Sequence, residues 1–199
     1  MALDRAERSV SDWSFVLRLN QPLTPEQADA FDHCDAFADG SVSYALGPED
    51  PHRYAHHPDP AKLSELICDI EAPSLLDAIA QVARDIRLIP GLRATGVRYD
   101  DAVTLAEAAQ RSGRSVHSLV ELSRGQHGPI GLPDPESDTA GTVFYSWREI
   151  AEFLRCLGDT VPETPRELAV ADQVLRLAHE LESLEVPPGT LRALGLPTA

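Results

Sequence analysis

Three neighbouring histidines are the first candidates for chemistry in this chain of 199 residues. His52, His56 and His57 fall within PEDPHRYAHHPDPAK, residues 48–62. Clustered imidazoles can hold a transition metal, but no cysteine is near and the spacing matches none of the common zinc patterns. The prolines and charges of this segment are typical of a solvated loop. We therefore expect no metal site here, and no motif in the chain requires a cofactor.

Catalysis by a nucleophile or an acid–base pair needs side chains that face one another. His33 and Cys34 are adjacent in the sequence, and on a helix adjacent side chains point about 100° apart. Asp100 and Asp101 close a predicted strand before a turn, where Asp is common for structural reasons. The sequence has no Walker loop and no GxGxxG, HExxH or GxSxG motif. We therefore predict a protein that is not an enzyme.

Cysteine usage and hydropathy indicate the compartment. Cys34, Cys68 and Cys156 are far apart and form no CxxC pair, which argues against a disulfide framework. Each is predicted to be a small buried hydrophobic residue. Charges interrupt every apolar stretch, and the N-terminal MALDRAERSVSDW lacks the order of a signal peptide. We expect a cytoplasmic protein that has no membrane partner.

The charge of the chain is uneven. The formal net charge is −15, which opposes the approach of DNA at long range. Residues 1–102 carry 9 basic and 18 acidic side chains, residues 103–156 carry 5 and 7, and residues 157–199 carry 3 and 7. The middle segment, with a net charge of −2, is therefore the least acidic part of the protein.

Residues 1–101 alternate between strand and helix patterns. WSFVLRL, SVSYAL, LSELICDIEA and GLRATGVRYD are predicted strands. One helix is predicted from the capping box at Thr24 to about Ala38, and a second from Ser74. The order β-α-β-β-α-β predicts an α+β class and a ferredoxin-like domain, with both helices on one face of an antiparallel sheet.

Residues 102–158 predict short helices with sharp caps. Thr104 opens a capping box, Gly113 suits the left-handed turn between two helices, and Ser115 caps the second helix. We expect Val116, Leu119 and Val120 to form the core face of that helix. Residues 126–145 read as a β-hairpin with a polar tip, and another capping box starts at Ser146. The order helix, turn, helix, wing, helix is that of a winged helix-turn-helix.

Residues 159–199 contain a long predicted helix from Thr164 to near Val186. Its apolar residues are spaced 4, 3, 4, 3, which is the a/d pattern of a coiled coil. We expect this stripe to mediate a homodimer; the alternative is that it packs on the chain's own domains. The stripe consists of Val170, Val174, Leu177, Leu181 and Leu184.

The stretches VTLAEAAQRSGRS, HSLVELSRG, GPIGLPDP and FYSWREIAEFL resemble the MerR/excisionase-type helix-turn-helix of actinobacterial regulators. The resemblance covers about residues 103–154. It implies a transcriptional regulator that binds double-stranded DNA, with helix 115–124 in the major groove and hairpin 126–145 as a wing. The residues that it implies approach bases or phosphates are Arg114, Ser115, His117, Ser118, Arg124 and His127.

A second function stays open on the residues themselves. Glu121 lies on the predicted outer face of the helix, and the predicted wing tip PDPESD is acidic. An acidic adaptor that docks a protein through the same helices is the alternative, and the N-terminal domain could bind a further protein partner.

Overall fold

The structure is a computed structural model that describes residues 10–48, 50–124, 131–139, 141–161, 164–187 and 189–196. It combines helices and strands, which confirms the α+β class. The chain divides into two compact units, Met1–Arg98 with Val170–Ala199, and Tyr99–Ala169. We expected a separate segment 159–199, but residues 159–169 group with the second unit and residues 170–199 with the first. No helix among the described residues is long and apolar enough to span a membrane.

The first unit contains a four-stranded sheet. Its strands are β1 (Ser11–Leu19), β2 (Val42–Tyr44), β3 (Glu65–Ala72) and β4 (Ala94–Arg98), in the order β2-β3-β1-β4. Every neighbouring pair is antiparallel, with Phe15 opposite Cys68 and Leu17 opposite Leu66. These four side chains are buried, because alternate residues of a strand point to one face of the sheet.

Two helices connect these strands. Helix α1 covers Pro25–Asp32 and helix α2 covers Leu75–Asp85. Both begin as predicted, since the Thr24 side chain accepts a hydrogen bond from the Gln27 amide and the Ser74 side chain accepts one from the Asp77 amide.

The prediction that α1 reaches Ala38 was wrong. The helix ends at Asp32, and a 3-10 turn follows at Asp35–Phe37. The break lets the Phe37 ring stack on the Phe31 ring at 4.1 Å between centroids. In a continuous helix, residues six positions apart point about 120° away from each other. The stacking of these rings is therefore compatible with a helix that ends at Asp32 and not with one that reaches Ala38.

Segment 48–62 is more regular than the solvated loop that its composition predicts. It forms 3-10 helices at Pro51–His56 and Pro60–Ser64, and the Leu63 side chain is fully buried. The His52 and His56 side chains are exposed. Among the described residues, no group of three or more His, Cys, Asp or Glu side chains could hold a metal ion.

The cysteine prediction holds at one position. Cys68 is buried, and burial raises the pKa of its thiol to about 12. Cys34 is half-buried and Cys156 is exposed, so the prediction for these two was wrong. Cys34 lies just beyond the end of α1 and Cys156 is the last residue of its helix. Residues at helix ends have fewer neighbours to cover them.

The second unit contains short strands and helices. The strands are β5 (Ala102–Val103), β6 (Ser137–Thr139) and β7 (Thr142–Ser146), in the order β5-β7-β6. The helices are α3 (Leu105–Ser112), α4 (Val116–Ser123) and α5 (Trp147–Cys156). Their shared core is apolar and includes Val103, Ala108, Leu119, Ile150 and Leu154.

Helix α6 (Arg166–Glu182) spans the boundary between the units, and a short helix α7 (Thr190–Ala193) follows it. Leu184 lies beyond the end of α6, so the predicted stripe is one residue shorter within the helix. On the side of α6 that belongs to the first unit, the Asp172 Oδ1 atom accepts a hydrogen bond from the Val97 amide at 3.0 Å. Strand β4 lies at the edge of the sheet, and the Val97 amide, which points away from β1, thereby has a hydrogen-bond partner.

Candidate functional site

Helices α3 and α4 meet through the turn that the sequence predicts. The Thr104 side chain accepts a hydrogen bond from the Glu107 amide, and the Glu107 side chain accepts one from the Thr104 amide. Gly113 ends α3 in the left-handed conformation, with φ of 74°. The Ser115 side chain then caps α4 by accepting a hydrogen bond from the Ser118 amide at 3.2 Å. Both caps and the turn are confirmed.

The buried face of α4 is shifted from the predicted one. Leu119 and Leu122 are buried, whereas Val116 is 46% exposed. Val116 is the first residue of the helix, and residues at a helix end are covered from one side only. An apolar side chain is thus left on the surface at the start of α4.

Arg114 is held by two partners. Its Nε and Nη2 atoms donate to the two carboxylate oxygens of Asp159 at 2.5 and 2.9 Å, and its Nη1 atom donates to the Ser118 hydroxyl at 3.2 Å. The hydrogen bonds from Arg114 lower the pKa of Asp159, and those to Asp159 raise the pKa of Arg114. The two charges neutralise each other, and the pair ties the start of α4 to the segment after α5.

The remaining residues implied by the resemblance lie in different surroundings. Ser115 and Ser118 are used within the cap and the Arg114 network. The His117 side chain is 82% exposed, and its Nε2 atom lies 3.1 Å from the Glu121 carboxylate. Arg124 is exposed directly after α4. His127 lies outside the described residues.

The β6–β7 hairpin is placed differently from the predicted wing. The predicted first strand, residues 129–132, lies partly outside the described residues, and Leu132 in it is buried against the core. The observed strand β6 comes instead from the segment predicted as the polar tip, and Ser137 pairs with Phe144. Glu136 and Asp138 are exposed. One exposed carboxylate therefore lies in β6 and another directly before it.

Arg111 is held inside the second unit. Its guanidinium lies 3.8 Å from the centroid of the Tyr99 ring and 5.5 Å from that of Trp147. Its Nη1 atom donates to the Asp100 carbonyl at 2.7 Å, and burial lowers its pKa. Because both rings and the carbonyl hold it, Arg111 supports the fold and does not present its charge to a ligand.

Asp101 caps α5, a role that the sequence indicated only in general terms. Its carboxylate oxygens accept hydrogen bonds from the Ser146 hydroxyl at 2.8 Å and the Arg148 amide at 2.9 Å. Its carbonyl accepts one from the Trp147 amide at 2.7 Å. The sequence pattern identifies Ser146 as the cap of α5. The second capping residue, Asp101, lies 45 positions before Ser146, so no local pattern can indicate its role.

The second unit thus holds α4 in place, with His117 exposed on the helix and Arg124 exposed directly after it. The hairpin that follows in the chain carries the exposed carboxylates Glu136 and Asp138. Comparisons with protein-family models, with curated proteins and with solved structures find no match to this chain.

Proposed function

We propose that this chain is a non-enzymatic regulator that binds double-stranded DNA through α4, with the β6–β7 hairpin as a wing. The observation that carries the proposal is the rigid mounting of α4. The Gly113 turn, the Ser115 cap and the Arg114–Asp159 pair fix its start. A recognition helix needs such a mounting, because it reads bases only when it enters the major groove at a defined angle.

The arrangement of both units supports this proposal. In the second unit, α3, α4, the hairpin and α5 follow in the order of a winged helix-turn-helix. In the first unit, the element order and the strand order β2-β3-β1-β4 are those expected of a ferredoxin-like fold. Because a fold alone does not decide function, these orders support the proposal only together with the way in which the start of α4 is held.

The contacts that we propose differ from those that the resemblance implies. Arg124 is exposed directly after α4, and we assign it to phosphates. His117 is 82% exposed, and we assign it to base edges, for which it exchanges its contact with the Glu121 carboxylate. Arg114 becomes a positioning residue, since its guanidinium is committed to Asp159 and Ser118. Few free cations predict weak nonspecific binding and a small salt dependence.

The test is selection from a pool of randomised DNA duplexes at low salt, followed by sequencing of the retained duplexes. An enriched motif is the expected result. Arg124→Ala should then weaken binding to every sequence and reduce the salt slope by about 1. Arg87→Ala, which removes the same charge from an exposed site of the first unit, is the matched control and should leave binding unchanged. Absence of any enriched motif would overturn the proposal.

We further propose that two copies of the chain associate through α6. The outward stripe remains uncovered, with Val170 44%, Val174 57% and Leu177 38% exposed. On the other side of the helix, Leu168 and Ala171 are buried. The helix therefore has two apolar sides, of which one is left for a partner. A two-fold dimer would carry two copies of α4, the number that an operator with two half-sites requires.

The second candidate function is that of an adaptor that docks a protein on α4. Two observations favour it: Val116 is exposed at the start of the helix, and Glu136 and Asp138 line the hairpin strand. An exposed apolar residue suits a protein partner, and carboxylates repel phosphates. A dimeric, folded protein that retains no DNA in the selection is the outcome that favours this function.

A further inference from the structure

The two edges of the sheet in the first unit differ. At strand β4, the Asp172 carboxylate accepts the outward amide of Val97. At strand β2, no strand of the described chain lies on the outer side. The Asp69 amide donates to the Ser41 carbonyl at 2.8 Å, so residue 41 is hydrogen-bonded to β3. Because antiparallel pairing alternates, the amides and carbonyls of Val42 and Tyr44 point away from β3. They have no hydrogen-bond partner among the described residues, so they form an edge that can accept an added strand.

A cavity adjoins this edge. Its volume is about 450 Å³, and both faces of β2 contribute to its wall through Val42, Ser43 and Tyr44. Three consecutive residues of β2 therefore border the cavity, and β2 is an edge strand of the sheet. The cavity therefore lies where the outward backbone groups of β2 are available.

Three aromatic rings and one carboxylate belong to the lining of the cavity. Phe31 and Phe37 stack in parallel, and the Tyr44 ring meets Phe31 edge-on at 5.0 Å. The Tyr44 hydroxyl donates to the Asp32 carboxylate at 3.0 Å, which leaves that carboxylate able to accept further hydrogen bonds. Phe31 and Phe37 are buried and form the apolar base of the site, whereas the half-buried Tyr44 ring lies beside the anion. A ring next to a carboxylate suits a cation with an apolar stem, such as the side chain of arginine or lysine.

The charge around the cavity has one sign. The stretch that lines the cavity, residues 31–44, contains Asp32, Asp35 and Asp39 and no Lys or Arg. No basic residue lies in the last turn of α1, whose C-terminal end carries partial negative charge. This repulsion disfavours a second copy of the chain as the occupant and favours a basic one.

We propose that β2 and this cavity bind an extended basic segment of a partner protein. The segment pairs with Val42 and Tyr44 as a fifth strand, and one arginine or lysine side chain enters the cavity against Asp32. The backbone supplies affinity and the cavity supplies specificity for the basic side chain. The inference is independent of DNA binding by α4, because it rests on residues of the first unit alone.

The experiment selects ligands for the full chain from a phage-displayed library of random ten-residue peptides. Enriched peptides should combine β-branched residues with an arginine or lysine. Asp32→Asn should weaken their binding roughly tenfold, the scale of a lost charge-assisted hydrogen bond. Glu71→Gln, an exposed position on β3, is the control for the change in net charge and should bind as the wild type does. Absence of enriched peptides, or equal binding by Asp32→Asn, would overturn the proposal.

Hydrogen exchange of the wild-type chain then tests the strand pairing. The enriched peptide should slow exchange of the Val42 and Tyr44 amides and leave that of Ser43, already paired with β3, unchanged. Two versions of the peptide are compared, one with N-methylated amides at its odd residues and one with N-methylated amides at its even residues. Only the version whose methyl groups replace the amide hydrogens that face β2 should fail to protect Val42 and Tyr44. Agmatine, a free guanidinium compound, is the competitor. If agmatine binds as tightly as the peptide, the cavity takes a small cation and the added strand is excluded.

Discussion

Asp159 and Arg114 are 45 positions apart, yet their side chains form a two-point ion pair at 2.5 and 2.9 Å. A planar guanidinium and a carboxylate match in this geometry, which fixes both orientation and distance. The resemblance to the MerR/excisionase type implies that Arg114 contacts DNA, whereas this pair commits its guanidinium to Asp159. Its consequence is that the start of α4 is held by the protein's own charges.

We expect this pair to contribute stability that depends on pH. The folded state lowers the pKa of Asp159 from its usual 3.8. The contribution is therefore present above that pH and is lost as the pH falls through the lower folded value. Asp159→Asn should reduce the free energy of unfolding at pH 7 by about 1 kcal/mol, and the gap to the wild type should close in acid. Urea unfolding at several pH values measures it.

Asp134→Asn is the control for this prediction, since Asp134 is an exposed carboxylate of the same unit. It should leave the free energy of unfolding unchanged across the pH range. A gap between Asp159→Asn and the wild type that persists below the folded pKa would contradict the prediction.

Gly113→Ala should destabilise the second unit through the backbone alone. The φ of Gly113 is +74°, and an added Cβ atom would have no neighbour within 4 Å. The cost is therefore that of a left-handed alanine, about 1 kcal/mol. Gly113→Asn should cost less, because asparagine tolerates this conformation better. Thermal unfolding compares the variants, and equal losses would argue against the conformational explanation.

Ser146→Ala should lower the free energy of unfolding by roughly 1–2 kcal/mol, as loss of a helix cap does. The Ser146 hydroxyl is buried, donates to Asp101 and accepts from the Glu149 amide. Ser123→Ala removes an exposed hydroxyl that donates only to the Val120 carbonyl and serves as the control, with little expected change. Chemical denaturation distinguishes them, and similar losses would refute the capping role.

Gly96→Ala should displace the Asp172 carboxylate from the edge of the sheet. An added Cβ atom would lie 2.7 Å from the Asp172 Oδ1 atom, which accepts the Val97 amide. Loss of that hydrogen bond should speed exchange of the Val97 amide roughly tenfold. Asp172→Asn keeps an acceptor oxygen and should preserve the protection. An unchanged exchange rate in Gly96→Ala would show that β4 tolerates the added carbon.

Val174→Asp should prevent association of the chain without unfolding it. Val174 is 57% exposed, so a charge is tolerated in the monomer but is costly in an apolar seam between helices. Gln173→Asp adds the same charge at an exposed position outside the stripe and should remain dimeric. Sedimentation velocity measures both. A wild-type chain that sediments as a monomer would overturn the proposed dimer.

Much of the local structure follows from residues that lie close in the sequence. Thr24, Ser74, Thr104, Ser115 and Ser146 all cap the helices that they were predicted to begin. A cap joins residues three positions apart, so its pattern is complete within one turn. The alternation along β3 likewise predicts its buried face, because the pleat allows only two directions for side chains.

The sequence by itself therefore determined the order of the four strands and two helices of the first unit, the caps of five helices and the α+β class, but not the short elements β5 and α7. Tertiary structure alone decided which charges are free: it paired Arg114 with Asp159, enclosed Arg111 between two rings and placed Asp172 on the edge of β4. It also ended α1 early and left Val116 exposed. These outcomes depend on how elements distant in the chain approach one another, and no pattern within a single helix or strand encodes that approach.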